Sequence, residues 1–92
     1  MKIPDFLKIG AHEYRVVVAP WWEDSDSGDL GQTCYEQQII YIKAGMPESL
    51  TVTTLIHEVF HVINSQLDHT LLESLAEQLT QVFMDNGLLN ES

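Results

Sequence analysis

Apolar and polar residues follow different periods in the two halves of this chain, and each period predicts a different element. Residues 8–20, KIGAHEYRVVVAP, end in a β-branched run before Pro20 and predict a strand. Residues 21–31, WWEDSDSGDLG, are acidic and rich in Gly and Ser, which predicts an exposed loop. Residues 32–45, QTCYEQQIIYIKAG, hold two short strand-like pieces, with Glu36, Gln37 and Gln38 as turn residues between them. Ile39 to Lys43 is the stronger piece. The expected sheet is small and antiparallel, with about three strands.

After residue 45 the period lengthens. MPESL opens a helix, with Pro47 suited to its first turn and Glu48 at the end where the dipole favours negative charge. At about 100° per residue, Val52, Leu55, Ile56, Val59, Phe60, Ile63 and Leu67 share one arc, so the helix is expected to reach Leu67. LDHT (67–70) reads as a break. A second helix is expected from Leu71 to Asp85, stopping at Asn86-Gly87. Its core arc is Leu71, Leu72, Leu75, Ala76, Leu79, Val82 and Phe83. Strands followed by two helices make an α+β domain, a small sheet packed on two helices, and 92 residues suffice for one such domain.

The first helix also carries TTLIHEVFHVIN, with His57, Glu58 and His61 in the order H-E-x-x-H. His57 and His61 are i and i+4, so both leave one strip of the helix just outside its core arc. Two imidazoles placed in this way can bind one Zn²⁺ at about 2.0–2.1 Å. The glutamate after the first histidine points beside the metal, where it can take a proton from an attacking water. The bland alternative is a solvated helix face carrying two histidines and an acid. His12-Glu13 starts the same pattern, but Val16 stands where the second histidine belongs and the segment reads as strand, so no metal role is assigned there.

Bulk properties narrow the field. The hydrophobic fraction of 45% is that of a folded chain. A core this small gains from a metal that joins two elements. Cys34 is the single cysteine, so no internal disulfide is expected and nothing points to an oxidising compartment. The first residues show no signal peptide, and no apolar run is long enough to span a bilayer, so a cytoplasmic location is the expectation. A net charge of -10 argues against nucleic acid or an anionic membrane as partner. Acidity serves solubility, and it would also suit a basic partner.

Zinc needs a third protein ligand, with one position left for water. Asp68, His69, Glu73 and Glu77 are the downstream candidates. Glu73 and Glu77 are i and i+4 on a strip at the edge of the second helix's core arc, and core-to-core packing would turn that strip toward His57 and His61. Glu73 is preferred. Thr70-x-x-Glu73 also fits a capping box, and if Glu73 is used there, Glu77 becomes the ligand. Whichever does not bind could accept a ring N–H from a ligating histidine. His69 has a weaker claim, because a turn position leaves its direction unspecified.

Together, GQTCYEQQIIYIKAGMPESLTVTTLIHEVFHVI and LLESLAEQLTQVFMDN resemble the minimal zincin-like metallopeptidases of bacteriophages and prophages, relatives of the ImmA/IrrE-type proteins. The resemblance runs from Gly10 to Asn86 and is strongest at His57-Glu58-x-x-His61 and at Glu73-x-x-Ala76-x-x-Leu79. It implies Glu73 as third ligand and a glycine-led strand before the zinc helix, here Gly31 to Lys43. It also implies an edge strand that pairs with an extended peptide substrate, for which Ile39 to Lys43 is the expected piece.

Amide hydrolysis also needs a donor for the developing oxyanion. Tyr35, Tyr41, His12 and Arg15 are open candidates, each also explicable as a sheet-surface residue. For Trp21-Trp22 the simpler expectation is one packed ring and one covering the core edge. Cys34 has no evident activating partner and reads as a small strand residue. Two functions follow. One is a zinc-dependent peptidase with Glu58 as general base, His57, His61 and Glu73 as ligands, and a peptide or protein substrate. The other is a non-catalytic, zinc-stabilised phage protein whose acidic surface engages a host partner.

Overall fold

The stretch expected as one strand over 8–20 folds back on itself in the computed structural model, which describes residues 3–23 and 28–88. Gly10 takes φ +62°, the conformation needed at the first central position of a tight hairpin turn. It separates β1 (Phe6–Ile9) from β2 (His12–Ala19), with Ile9 opposite His12. A second hairpin joins β3 (Gly31–Cys34) to β4 (Ile39–Lys43), with Cys34 opposite Ile39.

The sheet has four strands in the order β1-β2-β4-β3, and β2 and β4 run parallel. The α+β class is as expected. The expected antiparallel sheet of about three strands gives way to a mixed one. The reason is topological: the chain leaving β2 skips one slot, lays β3 at the outer edge, and the hairpin returns β4 into the gap. Alternation along a strand identifies its two faces but not its neighbours. Part of that crossing, residues 24–27 of the predicted acidic loop, lies outside the described residues.

Period-2 alternation then sorts the side chains. Tyr14, Val16, Ile40 and Ile42 are buried on one face and form the core with Leu55 of α1 (Glu48–Ile63). The opposite face is covered by Trp22, which stacks on Tyr41 with ring centroids 5.3 Å apart and donates its Nε1–H to Gln32 Oε1 at 2.7 Å. Trp22 is buried and Trp21 exposed, the division expected for the pair.

α1 stops earlier than Leu67. Asn64 goes extended, and its Oδ1 accepts the Gln66 N–H at 3.0 Å, a local bond that competes with the helical ladder. α2 (His69–Asp85) starts two residues before the expected Leu71 because Asp68, not Thr70, caps it: Asp68 Oδ2 accepts the Leu71 N–H at 3.0 Å. Its other end closes at Gly87 (φ +69°), where Gly87 N–H bonds Met84 O and Leu88 N–H bonds Phe83 O.

The two helices are not equivalent. α1 lies on the sheet, whereas α2 packs on α1, with its backbone away from the strands. α2 buries only Leu72, Ala76 and Thr80, each one turn after the last, and Thr53 of α1 hydrogen-bonds Thr80 Oγ1 at 2.9 Å across the seam. Leu71, Leu75 and Val82, expected in the core, are exposed for that reason. No helix among the described residues is long and apolar enough to cross a membrane.

Candidate metal centre

α1 has a sheet-facing side and an α2-facing side, and the H-E-x-x-H residues divide between them. His57 and His61 sit one turn apart, half-buried, with their Nε2 atoms 2.9 Å from each other. The first turn of α2 brings a third ring to the pair. His69 lies with its centroid 5.0 Å from that of His57 and 5.8 Å from that of His61. One ring nitrogen from each of the three falls within 4.8 Å of the others. Two nitrogens on a tetrahedral ion with 2.0–2.1 Å bonds stand about 3.3 Å apart, so side-chain adjustments of a few tenths of an ångström admit an ion between His57 and His61. The donor set fits a borderline divalent metal such as zinc, for which imidazole is a preferred ligand.

Burial holds the His57 imidazolium below its ordinary pKa; the neighbouring His61 and His69 push the same way, and Glu73 opposes them. The neutral ring is the form that offers a lone pair to a metal.

Glu58 occupies the other side. It is only 7% exposed, and Thr33 Oγ1–H donates to its Oε1 at 2.8 Å. Gly31 and Thr33 share the helix-facing side of β3, opposite Ile42 and Ile40. At Gly31 a Cβ would lie 2.7 Å from Thr54 Cγ2 and 3.0 Å from Tyr41 O. Only glycine lets the strand approach α1 closely enough for Thr33 to reach Glu58. Burial raises the pKa of Glu58, the Thr33 bond, His61 and His69 pull it back, and Asp29 adds to the rise. The result is a carboxyl group oriented by one donor and biased toward holding a proton.

Glu58 and His57 line a cleft of about 400 Å³ that also touches Gly31, Thr54, His69 and Glu73. Its outer lip carries Leu30 and Leu50, so the cleft has both apolar and ionisable walls.

Among the other expected site residues, Glu73 stands in the cleft, but the trio with mutually close donor atoms is His57, His61 and His69. Glu73 Oε1 is 3.0 Å from His69 Nε2. Glu77 also lines the cleft, while Asp68 is occupied as the α2 cap. Of the oxyanion candidates, Tyr35 lies nearest: its hydroxyl donates to the His61 carbonyl at 3.1 Å, and burial, with Glu58 and Tyr14 nearby, raises its pKa. Tyr41 is stacked under Trp22, and His12 pairs with Gln38 at the far end of the sheet.

The expected substrate strand requires a correction. Ile39 to Lys43 is an interior strand, flanked by β2 and β3. Among the described residues, the edge strand beside the cleft is β3, Gly31–Cys34. Sequence reasoning passed over Thr33 and the contact role of Gly31. The glycine opening a strand was a usable signal, but Thr33 had none, because its partnership with Glu58 spans 25 positions.

Comparison of the chain with family models, with curated proteins and with solved structures gave no match. The reading of this site therefore stands on its residues and geometry.

Proposed function

We propose that the protein is a zinc-dependent peptidase of the minimal phage or prophage zincin-like kind, acting in the cytoplasm of a bacterial host. The observation that carries this reading is Glu58. A buried carboxylate immediately after a metal-ligating histidine is costly to keep, and a purely structural metal site has no use for one.

His57 and His61 would hold the ion, with a third donor from the start of α2, where His69 lies and Glu73 follows one turn on. When bound, zinc supplies the Lewis acidity that brings the pKa of water to about 7 and polarises a carbonyl. Glu58 accepts the proton of the attacking water and passes it to the departing amine. Its raised pKa brings it closer to the range where a group can both take and give a proton near neutrality. Thr33 keeps one carboxylate oxygen engaged and so fixes which way the other faces. An extended peptide would add to the outer edge of β3, using main-chain hydrogen bonds, with the apolar wall at Leu30 and Leu50 available to a side chain.

A second reading has its own support. α2 rests on α1 alone, and the histidine cluster joins the two helices, as a stabilising metal would. On that reading the chain is a non-catalytic, zinc-stabilised phage protein that binds a host partner through its acidic surface.

A Glu58→Gln variant separates the two. Wild type and variant, both loaded with zinc, are incubated with denatured casein and a mixed peptide library, and products are read by mass spectrometry. The peptidase reading expects new termini with wild type only. Equal product patterns, or none from either, would favour the binding protein.

A further inference from the structure

We infer that His69 is the third protein donor of the metal centre, and that Glu73 holds the His69 ring rather than binding the ion. This rests on the ion-binding part of the proposed function and is independent of turnover.

Three observations converge on it. First, a ring nitrogen of His69 lies within 4.8 Å of those of His57 and His61, whereas Glu73 stands outside that trio. Second, the start of α2 is fixed. Asp68 caps the helix through the Leu71 N–H, which makes His69 its first residue and gives the side chain a defined direction. The same cap releases Glu73 from the capping-box role available to it with Thr70. Third, Glu73 Oε1 lies 3.0 Å from His69 Nε2, one helical turn away. A carboxylate can only accept there, so Nε2 is the nitrogen that carries a proton, and Nδ1 is the one the neutral ring would offer to the ion. A metal-ligating histidine with its second nitrogen bonded to a carboxylate is a recurrent arrangement, because it fixes tautomer and ring orientation and raises ligand basicity.

Of the other acids, Asp68 is the cap and Glu58 is turned toward Thr33 on the sheet side, while Glu77 lines the cleft but stands outside the trio of close donor atoms. Three neutral imidazoles then leave the ion its full positive charge beside Glu58. Such a set favours zinc, cobalt, nickel or copper over magnesium or calcium.

Metal affinity tests this without reference to activity. Zn²⁺ dissociation constants are measured by competition with a chelating indicator, and Co²⁺ absorption is recorded, for wild type, His69→Ala, Glu73→Ala and Glu73→Gln. His69 and Glu73 are 64% and 56% exposed, so folding should survive each change, as far-UV circular dichroism would verify. His69→Ala should weaken Zn²⁺ binding at least about 100-fold and shift the cobalt bands. Glu73→Ala should cost about 10–100-fold. Glu73→Gln should stay within about threefold of wild type, since the amide oxygen still accepts the Nε2–H. Unchanged affinity in His69→Ala would overturn the inference. So would a Glu73→Gln loss as deep as that of Glu73→Ala, which would mark Glu73 as a direct ligand. Absence of binding by the wild type would overturn the metal centre itself, and the peptidase reading with it. Tight wild-type binding without peptide cleavage would leave His69 in place and remove only the peptidase.

Discussion

The two sides of α1 differ in how they are held. On the sheet side, Glu58 is buried and hydrogen-bonded to a strand that packs within van der Waals contact of the helix. On the α2 side, three imidazoles stand half-buried or exposed, and their partners are one another and Glu73. The difference teaches a division of labour. The proposed base is oriented by the fold before any metal arrives. The proposed ligands straddle the seam between α1 and α2, and α2 packs on α1 rather than on the sheet, so that seam would gain most from an ion.

The largest effect that can break this comparison is on the base. Glu58→Gln should lower peptide turnover by about 10²–10⁴-fold while metal content stays at the wild-type level. Loss of metal in that variant would mean that Glu58 belongs with the ligands, and the two sides would merge.

Metal removal comes next. At a free zinc concentration 1,000 times the dissociation constant, binding adds about 4 kcal/mol to stability. Chelation should lower the melting temperature accordingly. Hydrogen exchange should speed up first along α2, while β2 and β4 stay protected. Uniform loss of protection across sheet and helices would contradict the asymmetry.

A Gly31→Ala substitution attacks the sheet side. The new methyl would meet Thr54 Cγ2 and the Tyr41 carbonyl, so β3 must move off α1, at about 1–3 kcal/mol by chemical denaturation. Turnover should fall with it, and metal affinity should hold.

The smallest effect concerns charge. Because the folded-state pKa of Glu58 is raised, its protonated form contributes stability fully below the unfolded pKa, and that contribution is lost as pH rises through the folded value. Metal-free Glu58→Gln should thus be more stable than metal-free wild type once pH exceeds the folded-state value of Glu58. The two should converge in acid. A pH-independent difference would point to packing instead of ionisation.

Much of this was legible in the chain. The 3.6 period located both helices, and H-E-x-x-H located the pair of imidazoles with the adjacent acid. What escaped is non-local. Strand order depends on where the 20–30 crossing lands, which alternation does not encode. The arcs of α2 predicted a buried Leu71, Leu75 and Val82 on the assumption that both helices face the sheet, and α2 faces only α1. The end of α1 turned on one Asx bond at Asn64, and the start of α2 on whether Asp68 or Thr70 became the cap. That second choice moved His69 from a turn of unspecified direction into the first position of a helix, beside the other two rings.

Anomalous diffraction at the zinc edge, from crystals of the full chain grown with equimolar zinc, would show whether the three rings share one ion. One strong peak per chain is expected among the ring nitrogens of His57, His61 and His69, with Glu58 close by but not coordinating. Full-occupancy zinc bound elsewhere, or no peak between the helices, would contradict a shared site.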